Sequence, residues 1–256
     1  MRLTLLGSGN SAGMPLYGCN CDRCELVRSE TSLRRGPASA LIEFDNKKYL
    51  IDAGLMDLAD RYPAGSLDGI FLTHFHADHV QGLFHLRWGK GDKIPVYCPP
   101  DSNGCDDLFK NPGILDFKSG RKFESFELGA LKITPLPLIH SRVTFGYLFE
   151  YKNQRIAYLT DTKGLPENTA LYLENISLDI MLIDTTFPPG SDSTGHNNLD
   201  DALQIHDQVN PGRTVLTHIG HDLDVWLSDN LTTLDKDVVV GSDHLNVFPY
   251  YIQDLI

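Results

Sequence analysis

Apolar runs of strand length, bounded by turn residues, recur along the chain. They are Leu3 to Leu6, Ala40 to Phe44, Tyr49 to Ile51, Gly69 to Leu72, Pro95 to Cys98 and Leu131 to Pro135, then Thr144 to Phe149, Arg155 to Leu159, Ile180 to Ile183 and Thr214 to Leu216. Helical stretches are fewer: Val80 to Leu86, Glu167 to Glu174, and Leu199 to Val209 behind an Asn/Asp-rich cap. Strands outnumber helices and interleave with them, which fits two sheets with helices outside. No solenoid period, low-complexity tract or Pro/Ser linker breaks the pattern, and Pro99 to Gly113 reads as a loop, so residues 1–256 read as one domain. No segment approaches the roughly 18 consecutive apolar residues of a membrane helix, and Met1 to Gly7 is too short for a signal h-region. A cytoplasmic protein without a membrane partner is the expectation.

Three apolar runs end alike, in Phe71-Leu72-Thr73-His74, Tyr158-Leu159-Thr160-Asp161 and Val215-Leu216-Thr217-His218. Each presents a metal-competent side chain where a strand stops, and strand ends are rigid places from which a common site is built. The sharpest signal follows the first of them: Thr73-His74-Phe75-His76-Ala77-Asp78-His79. If the chain stays extended past Thr73, alternation sends His74 and His76 to one side, and the turn into the next helix brings round Asp78 and His79. Two pairs of ligands for two neighbouring ions result; imidazole with carboxylate suits zinc, manganese or iron without selecting between them. A two-ion site needs more ligands and a bridge. We assign His74, His76 and His140 to one ion, Asp78, His79 and His218 to the other, and Asp161 to both. The alternative, a run of surface histidines, does not account for the ordered spacing behind a strand.

Cysteines add a second metal signature. Cys19, Cys21 and Cys24 form a C-x-C-x-x-C array, while Cys98 and Cys105 stand apart. The array supplies three corners of a tetrahedral zinc site, and His221, three residues after His218, is the candidate fourth. Charge then narrows the substrate: 22 Lys plus Arg against 34 Asp plus Glu leaves −12, a poor background for binding phosphate backbones, so any anion must be held by a local positive centre.

The H-x-H-x-D-H pattern, with Asp52 in Ile51-Asp52-Ala53-Gly54 upstream and the later His, Asp and His, resembles the metallo-β-lactamase superfamily. The resemblance implies an αββα sandwich of two mixed sheets flanked by helices, with the metals at one edge. It implies that Asp52 supports metal-bound histidines and, through the carboxylate Asp161, a two-metal hydrolase. His196, in a loop rich in Ser, Asp, Gly and Thr before the capped helix, matches the histidine that protonates the leaving alkoxide in transfer-RNA-processing and cyclic-phosphodiesterase branches. The cysteine array, with Asp78 to Phe84, Leu86 to Gly89 and Gly104 to Lys110, is similar to the branch that opens phosphoribosyl 1,2-cyclic phosphate in the carbon–phosphorus lyase pathway. That branch implies two catalytic divalent metals, manganese before zinc, one structural zinc, a small cyclic ribose phosphate as substrate and a homodimer. Gly241-Ser242-Asp243-His244 departs from the branch's usual Asp-Gly-Met.

Other members of the superfamily offer different expectations. A transfer-RNA 3′-end endonuclease needs a basic docking arm, which this acidic chain lacks, so no nucleic-acid partner is expected. A non-hydrolytic accessory protein of pyrroloquinoline quinone biosynthesis shares the cysteine array but tends to lack a complete two-metal ligand set. Arg87, Lys163 and Arg142 are candidate phosphate ligands, each otherwise a solvated cation. Gly7-Ser8-Gly9-Asn10-Ser11-Ala12-Gly13 reads as a turn-forming loop near the site, since Pro15 and the cysteines follow where a dinucleotide-binding helix would begin. Trp88 and Trp226 read as packing residues, and His85, His206 and His244 as core-edge or surface residues.

Overall fold

The computed structural model describes residues 1–230 and 234–249. β1 (Arg2–Gly7), β2 (Ser39–Phe44) and β3 (Lys47–Ile51) pair antiparallel, with α1 (Asp22–Ser29) in the long connection between β1 and β2. Asp45 and Asn46 both take positive φ between β2 and β3, as a tight two-residue hairpin requires. Beyond β3 the sheet continues in parallel. α2 (Leu58–Arg61) leads to β4 (Gly69–Phe71), α3 (Ala77–Val80) and α4 (Leu83–Leu86) to β5 (Ile94–Cys98), and α5 (Asp106–Lys110) to β6 (Leu115–Ser119).

The second sheet repeats this plan. β7 (Phe126–Leu128), β8 (Leu131–Pro137), β9 (Phe145–Tyr151) and β10 (Gln154–Leu159) are antiparallel. α6 (Glu167–Glu174), α7 (Leu199–Val209) and α8 (His221–Asn230) are the crossovers through the parallel strands β11 (Ile180–Asp184), β12 (Arg213–Thr217) and β13 (Val238–Val240). β14 (Asn246–Val247) returns to pair with β1. The result is two mixed seven-stranded sheets, β14-β1-β2-β3-β4-β5-β6 and β13-β12-β11-β10-β9-β8-β7, flanked by helices, as the αββα expectation has it.

Continuously apolar strands are explained by burial on both faces. Leu3, Leu5, Ile42, Ile51 and Phe71 meet Tyr147, Phe149, Tyr158 and Leu182 between the sheets. Alternate residues point outward: Leu50, Ile70 and Leu72 pack with Leu58 and Leu83, while Leu159, Ile183 and Leu216 pack with Leu173, Ala202 and Leu223.

Some local expectations change. The single helix read over Val80 to Leu86 is two short helices, because the Gly82 N–H donates to Ala53 O at 2.8 Å and the backbone there packs so tightly that a Cβ would lie 2.1 Å from Leu55 O. The loop read over Pro99 to Gly113 contains α5, and Trp88 is 64% exposed, its ring stacked on the Arg87 guanidinium rather than in the core.

Candidate metal centre

Residues at and just past strand ends build the site. Asp52 directly follows β3, Thr73-His74 come just after β4, Asp161 lies two residues past β10, Asp184 closes β11 and His218 directly follows β12; the loop after β8 adds His140. His76 is extended and caps α3, whose first turn carries Asp78 and His79. The nitrogens of His74, His76 and His140 gather with an Asp161 oxygen, and the donors of Asp78, His79 and His218 form a second group, the atoms within each lying no more than 4.8 Å apart. Asp161 faces both: Oδ2 lies 3.5 Å from His74 Nε2, 3.7 Å from His140 Nε2 and 3.4 Å from His79 Nε2, while Oδ1 lies 3.4 Å from His218 Nε2. The chain thus brings together all seven side chains assigned to the two ions.

The remaining ring nitrogens are committed, which fixes each tautomer. His79 Nδ1 donates to Asp52 Oδ2 at 2.8 Å, and the buried Asp52 also accepts from the Thr73 N–H at 2.8 Å. His74 Nδ1 meets Thr73 Oγ1 at 3.0 Å, His218 Nδ1 meets Thr186 Oγ1 at 2.8 Å, and His140 Nδ1 donates to Gly195 O at 2.9 Å. In the neutral rings, the form that binds metal, the nitrogens left facing inward therefore carry lone pairs. His74 Nε2 and His140 Nε2 both confront His76 Nδ1, at 2.9 and 3.0 Å, and one proton on His76 can satisfy only one of them. His79 Nε2 and His218 Nε2 are buried without a hydrogen bond among the described residues. Convergent acceptors and orphaned buried nitrogens fit a pair of divalent cations.

Electrostatics point the same way. Burial holds His74, His76 and His140 below the ordinary imidazole value, hence neutral as ligands must be. Burial also opposes charge on His218, but the Asp161 and Asp184 carboxylates hold it up at about 9, and Asp161 and Asp52 likewise lift His79. Asp161 stays well below the usual carboxylate range despite its burial, through His218, His79 and His74. These carboxylates demand positive charge at the place where cations would sit. Asp52 and His218 also take left-handed backbone, φ 60 and 58, a conformation costly for residues other than glycine and concentrated at functional sites.

His196 stands over this cluster, its ring stacked on His218 at 4.8 Å between centroids and 5.0 Å from His140. Its Nδ1 donates to Asp184 Oδ2 at 2.8 Å, leaving Nε2 free of that contact. Sequence reading missed Asp184 and Thr186. Asp184 is fully buried, accepts from Thr186 Oγ1 at 2.8 Å and from the Thr162 N–H at 2.9 Å, and so orients His196 and, through Thr186, His218. The available signal was another apolar run ending in a carboxylate, Ile183-Asp184.

Cys19, Cys21, Cys24 and His221 form a separate group within the same 4.8 Å limit, with the Cys19 and Cys21 sulfurs each 3.4 Å from His221 Nε2. Cys21 caps α1, and donation from the Cys24 N–H together with His221 draws its thiol down to about 6; burial raises Cys24 to about 11. Three sulfurs and an imidazole fit a tetrahedral zinc. The Gly7–Gly13 loop does lie beside the site, since Ser8 O and the Asn10 N–H bracket Ile219, next to His218.

Two of the candidate phosphate ligands are engaged in ion pairs. Arg87 is 7% exposed and pairs with Asp107, and the half-buried Lys163 pairs with Asp201. Arg142 is bound to Asp101 at 3.0 Å. Asp243, in the divergent segment, pins the Ser8 N–H and the Gly36 N–H, each at 2.8 Å.

Residues 47–219 match the Beta-lactamase superfamily domain. The chain belongs to that superfamily, and its two-sheet architecture is the metallo-β-lactamase fold. Among solved structures it resembles a diphosphatase from the PhnP family, with 29% identity and a TM-score of 0.81 over 96% of this chain and 97% of the other. Zn(2+)-bound PqqB from Methylobacterium extorquens shares the fold at 20% identity and a TM-score of 0.78, over 97% and 100% of the chains. An octanoyltransferase of Porphyromonas gingivalis is 31% identical over 96% of this chain, which spans about half, 51%, of that relative's length.

Proposed function

We propose that the protein is a metal-dependent phosphodiesterase that opens 5-phosphoribosyl 1,2-cyclic phosphate to ribose 1,5-bisphosphate, in phosphonate breakdown. The observation that carries this reading is His196, oriented by Asp184 and set over two ligand groups that share Asp161. The likeness to a PhnP-family diphosphatase supports it. His74, His76, Asp78, His79, His140, Asp161 and His218 would hold two divalent cations, manganese or zinc, and the cysteine group a zinc. The catalytic pair supplies, when bound, Lewis-acid activation of water and positive charge for an anionic ester in an otherwise acidic protein.

The chain's own residues do the rest. Asp52, Thr73 and Thr186 fix the imidazole tautomers, so no ligand has to reorient during turnover. Asp184 holds His196 through Nδ1, which directs Nε2 toward the ester. As water oxygen bonds to phosphorus and releases a proton to solvent, the bond from phosphorus to the sugar 2-oxygen breaks, and that oxygen takes the proton from His196 Nε2. A homodimer acting on a small molecule, without nucleic acid, completes the proposal.

The test is turnover of the cyclic ester by metal-reconstituted protein, followed by His196→Ala. We expect a loss of about 10²–10⁴-fold in kcat on the sugar ester. Bis(p-nitrophenyl) phosphate, whose leaving group needs no proton, should lose far less. Absence of turnover of either ester would refute the reading, and equal losses on both would remove His196 as the acid. Metal analysis separates the accessory-protein alternative, expected to carry about one metal per chain against about three here.

A further inference from the structure

The loop between β8 and β9 leads in consecutive residues from the ligand cluster to a second concavity. His140 belongs to the cluster, Ser141 Oγ lies 3.4 Å from His76 Nε2, and Arg142 walls a cavity of about 580 Å³. Val143 and Thr144 continue that wall, and Arg121 and Lys122 line it from the segment after β6. β6 runs parallel to β4, and β8 parallel to β10, so both end at the edge of the sandwich where His74 and Asp161 sit. Two residues of chain span at most about 7 Å, which keeps Arg142 close to His140.

The charge in this cavity contrasts with that of the chain, −12 overall. Its wall carries Arg121, Lys122 and Arg142 beside Glu124, and the buried Asp101 next to it pairs with Arg142. The Arg121–Glu124 pair, 3.4 Å apart and exposed on both sides, is weak. Lys122 makes no hydrogen bond or ion pair among the described residues. Arg142 is anchored by Nη1 alone, which donates to Asp101 Oδ2 at 3.0 Å, Gly104 O at 3.3 Å and Asn103 O at 3.4 Å. Its Nε and Nη2 have no acceptor among the described residues. A guanidinium held in place with unspent donors is preorganised for the forked geometry of a phosphate.

We propose that this cavity is a phosphate-binding subsite in which Arg142, Lys122 and Arg121 hold a terminal phosphate monoester of a substrate whose ester reacts at the neighbouring cluster. The proposal rests on the phosphodiesterase reading and names the residues that select a phosphorylated sugar. A compact group of cations in an acidic chain suits one small dianion rather than a polynucleotide backbone.

The experiment compares ribose 1,2-cyclic phosphate with and without its 5-phosphate, using metal-loaded wild type, Lys122→Ala and Arg142→Ala. Lys122 is exposed, so its variant keeps the fold. The expected result is a KM about tenfold higher for the phosphorylated ester in Lys122→Ala, with kcat and the unphosphorylated ester unchanged, and a KM for the phosphorylated ester raised at least as much in Arg142→Ala. An equal change on both esters, or none on either, overturns the subsite. If neither ester is hydrolysed, the functional reading fails by itself, and calorimetric binding of ribose 5-phosphate decides: about tenfold weaker binding in Lys122→Ala supports the subsite, and equal binding overturns it. Variants that weaken an oligoribonucleotide but not ribose 5-phosphate also overturn it, in favour of a polynucleotide.

Discussion

Asp52 touches no inward-facing nitrogen, yet it holds His79 through Nδ1 and sits fully buried in left-handed backbone. Its contribution is the orientation and basicity of a ligand. Asp52→Asn should weaken the cation at the His79 group by about 10–100-fold and the His74 group less, since Asp52 reaches His74 only through Thr73 Oγ1, measured by calorimetric titration of metal-free protein. At this scale the H-x-H-x-D-H run was legible because its ligands are near neighbours in the chain and its spacing encodes their faces. Asp184 was not legible, since a lone carboxylate after an apolar run acquires meaning only when His196, twelve positions on, folds back onto it.

Among elements, the connection from β3 to α2 shows how closely backbone approaches set ligand positions. A Cβ on Gly54 would lie 1.7 Å from Asp78 O, with no flexible side chain to yield, so only glycine lets this connection touch α3. Gly54→Ala should displace Asp78 and His79, lowering metal content toward two per chain and the thermal midpoint by several degrees. Metal analysis beside a melting curve checks both. The cysteine segment is tied down by charge as well: Asp224 on α8 accepts from Arg23 Nε at 2.6 Å and Arg35 Nε at 2.7 Å, and Arg35 also donates to Ser8 Oγ at 2.8 Å. Sequence reading found α7 with its observed bounds, because an amphipathic face and an Asn/Asp cap coincide. It missed α1, α2, α5 and α8, where the helices are short or weakly patterned and packing decides.

For the molecule as a whole, that buried ion pair sets a pH dependence. Burial works against charge on Asp224, but Arg23 and Arg35 hold its carboxyl below the ordinary aspartate value. A carboxyl whose value falls on folding stabilises the fold at pH above its unfolded value, about 3.9, and that contribution disappears as pH drops through the lower folded value. Asp224→Asn, which strands a buried arginine, should cost about 3 kcal/mol near pH 7. The gap between wild type and variant should close as pH falls below about 4. Denaturant unfolding at several pH values tests this, and a gap independent of pH would contradict it.

The architecture was largely legible, since strands buried on both faces must be apolar throughout and the ten runs read from sequence are strands in the structure. The edge strands β6, β7, β13 and β14 were not, because a strand with one neighbour carries little apolar signal. By itself the chain determined which groups could bind metal, through local spacing, and which segments had to be inside, through hydrophobicity. Only the tertiary structure decided that Asp161 spans two groups, that Asp184 aims His196, and that Arg87, Lys163 and Arg142 pair with Asp107, Asp201 and Asp101. Those relations join residues far apart in sequence, and such contacts are set when two sheets pack and bring their strand ends to one edge, which no local pattern records.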